Sequence, residues 1–113
     1  MSINKIQAKV YDEYVKNGYL AWLQNKGKEG ELAEIGLITT EIAEAMEEIR
    51  NPNTNYQNVM FECADIIIRT LNFMSRMYEE SQTWTQPLKL ASFYVHSKHR
   101  KNLKRGWHHG REL

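Results

Sequence analysis

The sequence predicts an all-α protein, a bundle of about four helices in one domain that spans residues 1–113. The long segments repeat their apolar residues with a period near 3.6, and strand signals are weak. The two prolines, Pro52 and Pro87, fall where these helical patterns break. An apolar share of 42% and a charged share of 26% are typical of a globular chain, and 113 residues suffice for one hydrophobic core.

Start and stop signals give each predicted helix its bounds. We predict helices over residues 2–16 (beginning at Ser2 or Asn4), 31–50, 56–80 and 87–105. The first ends at Asn17-Gly18, a C-terminal stop signal, and an aromatic segment (19–24) and a loop (25–30) follow it. Pro87 suits the first turn of the last helix. The third helix contains MFECADIIIRTLNFMSRM and is predicted to be the most buried, with Cys63 as a small hydrophobic residue inside it.

Charge and composition exclude several classes of protein. The net charge is +1, so the chain as a whole is not a polyanion binder. A single cysteine cannot form an intramolecular disulfide, and no signal peptide or apolar run of membrane-spanning length is present. We expect a cytoplasmic protein without a membrane partner.

The stretch TTEIAEAMEEIR, residues 39–50, concentrates carboxylates on the second helix. At about 100° per residue, with Glu41 at zero, Glu48 falls near −20° and Glu44 near −60°. The neighbouring apolar residues, which fall between about 40° and 120°, are Ala45, Ile38, Ile49, Ile42 and Ile35. The three glutamates are therefore expected to border the core side of the helix.

The third helix repeats this arrangement, because Glu62 and Asp65 lie three residues apart on one face. Carboxylates at the edge of so apolar a helix are costly to desolvate without a partner. The local candidate partner is Arg69, and one arginine cannot neutralise four carboxylates. A set of oxygen ligands without His or Cys favours Mg²⁺, with Mn²⁺ as the alternative. A solvated acidic face is the competing interpretation.

The last predicted helix carries a basic stripe. Lys98, Asn102 and Arg105 are spaced i, i+4, i+7, and this combination of cations and an amide suits phosphate oxygens. A solvated basic helix end and a nucleic-acid-binding tail are the alternatives.

Together these motifs resemble the MazG-like family of all-α nucleoside triphosphate pyrophosphohydrolases. The family pattern is ExxE, a gap, then ExxD. Here Glu41-x-x-Glu44 and Glu62-x-x-Asp65 are separated by 17 residues. ADIIIRTLNF, the Lys98-x-x-x-Asn102-x-x-Arg105 segment and the late His109-Gly110 extend the resemblance over residues 31–113.

The resemblance implies an oligomeric helix bundle, a homodimer or a homotetramer. It implies Mg²⁺-dependent hydrolysis of a nucleoside triphosphate, expected to be a deoxynucleotide, between the α- and β-phosphates. Glu41, Glu44, Glu62 and Asp65 would then be the metal ligands. We add Glu48, with Glu44, as the expected catalytic carboxylates that take a proton from the attacking water. A nucleic-acid partner is not expected.

The phosphates would be held by Lys98, Asn102 and Arg105, if the resemblance extends to function. Two departures from the family pattern concern the base and the number of metals: Thr40 precedes Glu41 where many members have a second Glu, and Asn72 stands where many have Asp. Trp22, Trp84, Trp107 and Tyr19 are candidates to line the base pocket. The alternative function is a small helical module that binds nucleic acid or nucleotides without turnover.

Overall fold

A computed structural model gives the fold, and it describes residues 1–18 and 26–105. Four helices follow one another in these ranges, and the described residues contain no strand. They are α1 (Ile3–Lys16), α2 (Lys28–Arg50), α3 (Tyr56–Ser81) and α4 (Ala91–Arg105). The all-α prediction is confirmed, and the predicted loop over residues 25–30 is too long because α2 begins three residues earlier than expected.

The two long helices, α2 and α3, form an antiparallel hairpin. Asn51 ends α2 in an extended conformation, and the side chain of Asn55 caps α3 by accepting a hydrogen bond from the Asn58 amide. The Asn55 amide in turn donates to Glu48 Oε1 at 3.3 Å, which fastens the end of one helix to the start of the next. This short turn fixes the register in which the carboxylates of α2 face those of α3.

Helix α4 begins at Ala91, so the predicted start at Pro87 is wrong. The segment before it is tied to the end of α3, because the Leu88 amide donates to Ser81 Oγ at 2.8 Å. The first amides of α4 are capped from α1: Gln7 Oε1 accepts from Ala91, and Asn4 Oδ1 accepts from Ser92. A cap supplied by another helix cannot be read from local sequence, which explains the four-residue error.

The buried face of α2 differs from the predicted one. Gly30, Glu34, Glu41 and Ala45 are buried against the rest of the chain. These residues lie between about −20° and 40° on the scale that sets Glu41 at zero. Glu41 is therefore at the centre of the packed face and not at its margin.

The apolar stripe of α2 is exposed, which contradicts the prediction that its isoleucines face the core. Its members lie between about 80° and 180° on the same scale, and Ile42 is 43% exposed. The stripe consists of Leu32, Ile35, Ile42, Met46 and Ile49. Within one chain this surface has no helix packed over it among the described residues.

Helix α3 is buried only in its C-terminal half. Leu71, Asn72, Ser75 and Arg76 are buried there, because α1 packs along this half. The N-terminal half exposes Tyr56, Met60, Cys63 and Ile67, which are spaced i, i+4, i+7, i+11 and so form a second apolar stripe. The expectation that Cys63 is buried is therefore wrong for the single chain, whereas α3 does have more buried residues than any other described helix, as predicted.

Among the described helices, none is both long enough and apolar enough to cross a membrane.

Candidate metal centre

Three carboxylates from two helices converge at the centre of the hairpin. Glu41 comes from α2, and Glu62 and Asp65 come from α3. Each offers a carboxylate oxygen, and these oxygens all lie within 4.8 Å of one another. The register of the hairpin produces this convergence, because Glu41 faces α3 and the i, i+3 spacing puts Glu62 and Asp65 on one side of that helix.

The burial of the three groups is graded. Glu41 is buried, Glu62 is intermediate and Asp65 is exposed, so the cluster opens from the hairpin interface towards solvent. Glu62 Oε2 is inaccessible to water and has no hydrogen-bond partner. A buried carboxylate oxygen without a donor is costly, which is an observation in favour of a cation at this position.

The geometry fits a hard divalent cation. In an octahedral shell with oxygens at about 2.1 Å, neighbouring ligands lie about 3.0 Å apart and opposite ligands about 4.2 Å apart, and the 4.8 Å limit on the separations in the cluster is only slightly wider than this shell. The ligands are all carboxylates, which is the donor set that Mg²⁺ and Mn²⁺ prefer. The exposed side at Asp65 leaves room for water and phosphate ligands.

Arg69 is the counter-ion of this cluster in the structure. Its Nε donates to Glu41 Oε1 at 3.2 Å, and its side chain is 37% exposed against 10% for Glu41. The sequence suggested Arg69, one turn after Asp65, as the local partner of the four carboxylates as a group. The structure pairs it across the hairpin, because α2 turns Glu41 towards α3.

The other two glutamates of α2 lie outside the cluster. Glu44 is exposed, one turn beyond Glu41, and is not part of the group of three. Glu48 is intermediate in burial, and its Oε1 accepts the Asn55 amide. The predicted stripe of three glutamates is thus divided: one faces α3, one faces solvent and one supports the turn.

The helix that carries the basic stripe starts away from the carboxylate cluster. Ser81, whose hydroxyl holds the segment leading into α4, lies about 24 Å along α3 from Asp65. Helix α4 contacts α1 and α3 and makes no contact with α2 in the described part of the chain. Lys98 and Arg105 are exposed and Asn102 is intermediate. The structure does not bring these three residues into contact with the carboxylates of α2.

A cavity of about 310 Å³ lies beside the cluster, and Arg69 belongs to both. Tyr14 and Asn17 of the first helix and Leu37 of the second line the rest of it. An aromatic ring, an amide and an apolar side chain beside a guanidinium form a surface able to take a small planar ligand with an anionic group.

A second Arg–Glu pair lies one heptad from the first. Arg76 Nη1 donates to Glu34 Oε2 at 2.6 Å, and the two side chains are 1% and 3% exposed. Arg76 Nε also lies 3.5 Å from Glu80 Oε1. The pKa of Arg76 is raised above its ordinary value, because the hydrogen bond and charge of Glu34 outweigh burial, which acts in the opposite direction. The Arg76 guanidinium is therefore held in its charged form inside the hairpin.

Two further groups of this network have raised pKa values. Burial and a hydrogen bond with Glu31 raise the pKa of the Glu80 carboxyl above its ordinary value of 4.5. Burial and the hydrogen bond to Glu79 Oε2, at 3.0 Å, raise the pKa of the Tyr11 hydroxyl. Tyr11 is therefore a fixed donor that ties α1 to α3.

Sequence reasoning missed Glu34 as a buried ion-pair partner. The sequence feature that could have revealed this pair is a shared seven-residue spacing. Glu34 and Glu41 are seven residues apart on α2, and their partners Arg76 and Arg69 are seven residues apart on α3. Of the residues proposed for the base pocket, Trp84 is exposed on the segment after α3. Tyr19, Trp22, Trp107 and the pair His109-Gly110 lie outside the described residues.

Comparisons with protein-family models, with curated proteins and with solved structures give no match to this chain. The function must therefore be argued from the residues and their geometry.

Proposed function

We propose that the chain is a MazG-like nucleoside triphosphate pyrophosphohydrolase, a hydrolase acting on acid anhydrides with Mg²⁺ as its cofactor. The observation that carries the proposal is the convergence of Glu41, Glu62 and Asp65 within 4.8 Å, together with the unpartnered buried oxygen of Glu62. The motif spacing that suggested the family is the second support.

The reaction would hydrolyse the bond between the α- and β-phosphates. The oxygen of a water molecule attacks the α-phosphorus, the bond from that phosphorus to the bridging oxygen breaks, and the products are a monophosphate and pyrophosphate. Mg²⁺ bound at the cluster would neutralise phosphate charge and polarise the α-phosphate. A deoxynucleotide is the proposed substrate.

The carboxylates of α2 and α3 would have two roles, metal binding and proton transfer. Glu41, Glu62 and Asp65 would hold the cation, and Glu44 would complete the set by turning from solvent towards it. Glu48, with Glu44, would take the proton of the attacking water. In the present structure Glu48 accepts the Asn55 amide, and that bond leaves its second oxygen for a water molecule.

Lys98, Asn102 and Arg105 would bind the phosphates of a nucleotide held at the cluster of a second copy. This part of the proposal follows from the lack of contact between α4 and α2 within the chain. The two exposed apolar stripes support a homodimer or homotetramer, since monomers rarely expose contiguous apolar surface of this extent.

The first test uses a panel of ribo- and deoxyribonucleoside triphosphates with Mg²⁺, Mn²⁺ or EDTA, with products separated by chromatography. Metal-dependent formation of monophosphate and pyrophosphate is the expected result. Release of orthophosphate and a diphosphate would contradict the assignment of the cleaved bond. Glu47→Gln, an exposed glutamate of α2 outside the cluster, is the matched control for Glu62→Gln.

Mixing two inactive variants tests whether the site is shared between copies. Glu62→Gln and Arg105→Ala are each expected to abolish or strongly reduce turnover. In a two-fold dimer with shared sites, an equal mixture that exchanges subunits rebuilds about a quarter of the sites. Activity that stays at the level of the separate variants would place Arg105 and Glu62 of one chain in the same site, or Arg105 outside it.

One observation favours the alternative, a binding module. Helix α4 has no acidic residue, and Ser97, Arg100, Lys101 and Lys104 line a cavity of about 250 Å³ on its surface. This module would bind DNA or RNA tightly, with a steep dependence on salt, and would not turn over nucleotides.

A further inference from the structure

The hairpin offers two Arg–Glu pairs that differ in how easily they separate. Arg76 and Glu34 are almost fully buried and meet at 2.6 Å. Arg69 and Glu41, seven residues away on each helix, meet at 3.2 Å through a single nitrogen, and Arg69 is 37% exposed. The guanidinium of Arg69 is in contact with water, so it loses little solvation when it changes partner. The guanidinium of Arg76 is buried, so leaving Glu34 would cost it a hydrogen bond that water cannot replace.

The more exposed pair, Arg69 and Glu41, is also the pair that belongs to the carboxylate cluster. Glu41 Oε1 accepts from Arg69 while the carboxylates of Glu41, Glu62 and Asp65 lie within 4.8 Å of one another. In the described part of the chain, Arg69 is the cation that an ion pair joins to this group of three carboxylates. A divalent cation bound by the same carboxylates brings twice the charge and competes with Arg69 for Glu41.

The cavity beside the cluster is where the displaced Arg69 side chain could bind an anion. Arg69 lines this cavity of about 310 Å³ together with Tyr14 and Asn17, and no carboxylate lines it in the described part of the chain. A guanidinium released from Glu41 would present its donors to an anion that enters this cavity. Phosphate oxygens match the planar fork of arginine.

We propose that Arg69 is an exchangeable counter-ion: it balances Glu41 in the metal-free protein, is displaced when a divalent cation takes that carboxylate, and then binds the phosphate groups of the nucleotide. The inference rests on the proposed function. Under this proposal, metal binding prepares the anion site, because the cation that takes Glu41 also releases the guanidinium of Arg69.

The test measures two affinities in each protein. Mn²⁺ alone is titrated calorimetrically, and a nucleoside triphosphate analogue with a methylene group between the α- and β-phosphorus atoms is then titrated at saturating Mn²⁺. Arg69→Gln removes the competitor, so Mn²⁺ should bind about threefold to tenfold more tightly. The same variant should bind the analogue about tenfold more weakly, because a charge-assisted contact is lost.

The opposite signs of these effects separate the proposal from a structural role, which would weaken both affinities together. Arg50→Gln is the control, because Arg50 and Glu47 also meet at 3.2 Å but lie on the surface of α2 away from the cluster. It should change neither affinity. If Arg69→Gln does not fold, Arg69→Lys replaces it and should weaken analogue binding while leaving Mn²⁺ binding at least as tight.

Unchanged or weaker Mn²⁺ binding in Arg69→Gln would overturn the inference, and so would analogue binding equal to that of the wild type. If the wild type hydrolyses nucleotides and binds Mn²⁺ normally in either case, the proposed function stands without this role for Arg69. Failure of the wild type to bind Mn²⁺ would overturn both.

Discussion

Substitution of Glu62 by glutamine should change stability in opposite directions with and without metal. Glu62 Oε2 is buried and unpartnered, and two other carboxylates lie within 4.8 Å of its ligand oxygen. Without metal, glutamine removes a negative charge and adds a donor that can reach Glu41, so the apoprotein should gain stability. With metal, the variant lacks a ligand and should lose the stabilisation that binding supplies.

The distances set the size of the two effects. Two charges 4.8 Å apart repel by about 1 kcal/mol at the dielectric constant of water and about 3 kcal/mol at an effective value of 20. Because Asp65 is exposed, we take the lower figure, which corresponds to a rise in Tm of about 4 °C for a domain of this size. A cation at 100 times its Kd stabilises the wild type by about 2.7 kcal/mol, a rise of about 10 °C.

Thermal unfolding followed by circular dichroism, in EDTA and in Mn²⁺, measures both effects. The wild type should show a large metal-dependent increase in Tm, and Glu62→Gln should start higher in EDTA and gain little. Glu47→Gln, whose carboxylate pairs with Arg50 on the surface, should behave as the wild type. A variant that is less stable in EDTA and keeps the full Mn²⁺ shift would refute the reasoning, because Glu62 would then be a structural residue.

Three further predictions concern the frame around the cluster. Arg76→Met should lower the free energy of unfolding by about 3–5 kcal/mol in urea titrations, since it leaves Glu34 charged and buried, and the double variant with Glu34→Leu should recover most of the loss; a loss below about 1 kcal/mol would contradict the burial of the pair. Ile42→Glu, in the exposed stripe of α2, should reduce the mass measured by light scattering to that of a monomer, and an unchanged mass would exclude the stripe as the contact between copies. The raised pKa of Glu80 means that the folded state holds this proton more tightly than the unfolded state. Its contribution to stability is therefore complete below pH 4.5 and is lost as the pH rises through the raised value, and Glu80→Gln should lack this decline in urea unfolding between pH 4.5 and 7.

The sequence predicted the helices well because their ends are encoded locally. Asn17-Gly18 closes α1, Pro52 follows α2, and the side chain of Asn55 caps α3 directly before its predicted start at residue 56. The predicted start of α4 was wrong because this helix end is not encoded locally. Its capping groups belong to α1, which is 84 residues away along the chain at the Gln7–Ala91 bond.

The candidate site was predictable in part. The spacing of Glu41, Glu62 and Asp65 was enough to bring them together once the hairpin formed. The partner of Arg69 was not predictable, because periodicity tells which residues share a face and not which face a neighbour covers. The sequence suggested that the isoleucines of α2 were covered, whereas the chain packs the face that carries Glu41.

This choice of face has an energetic consequence for the single chain. The hairpin interface is held by polar contacts at Glu34, Glu41 and Glu48, and buried ion pairs contribute little net stability compared with apolar packing. The exposed stripe of α2 has five large apolar side chains, and covering them would contribute about 1 kcal/mol each, since each is between 43% and 69% exposed. That sum is about as large as the whole stability of a small domain. If copies associate through this stripe, as we propose, assembly adds the hydrophobic stabilisation that the ion pairs between α2 and α3 do not supply.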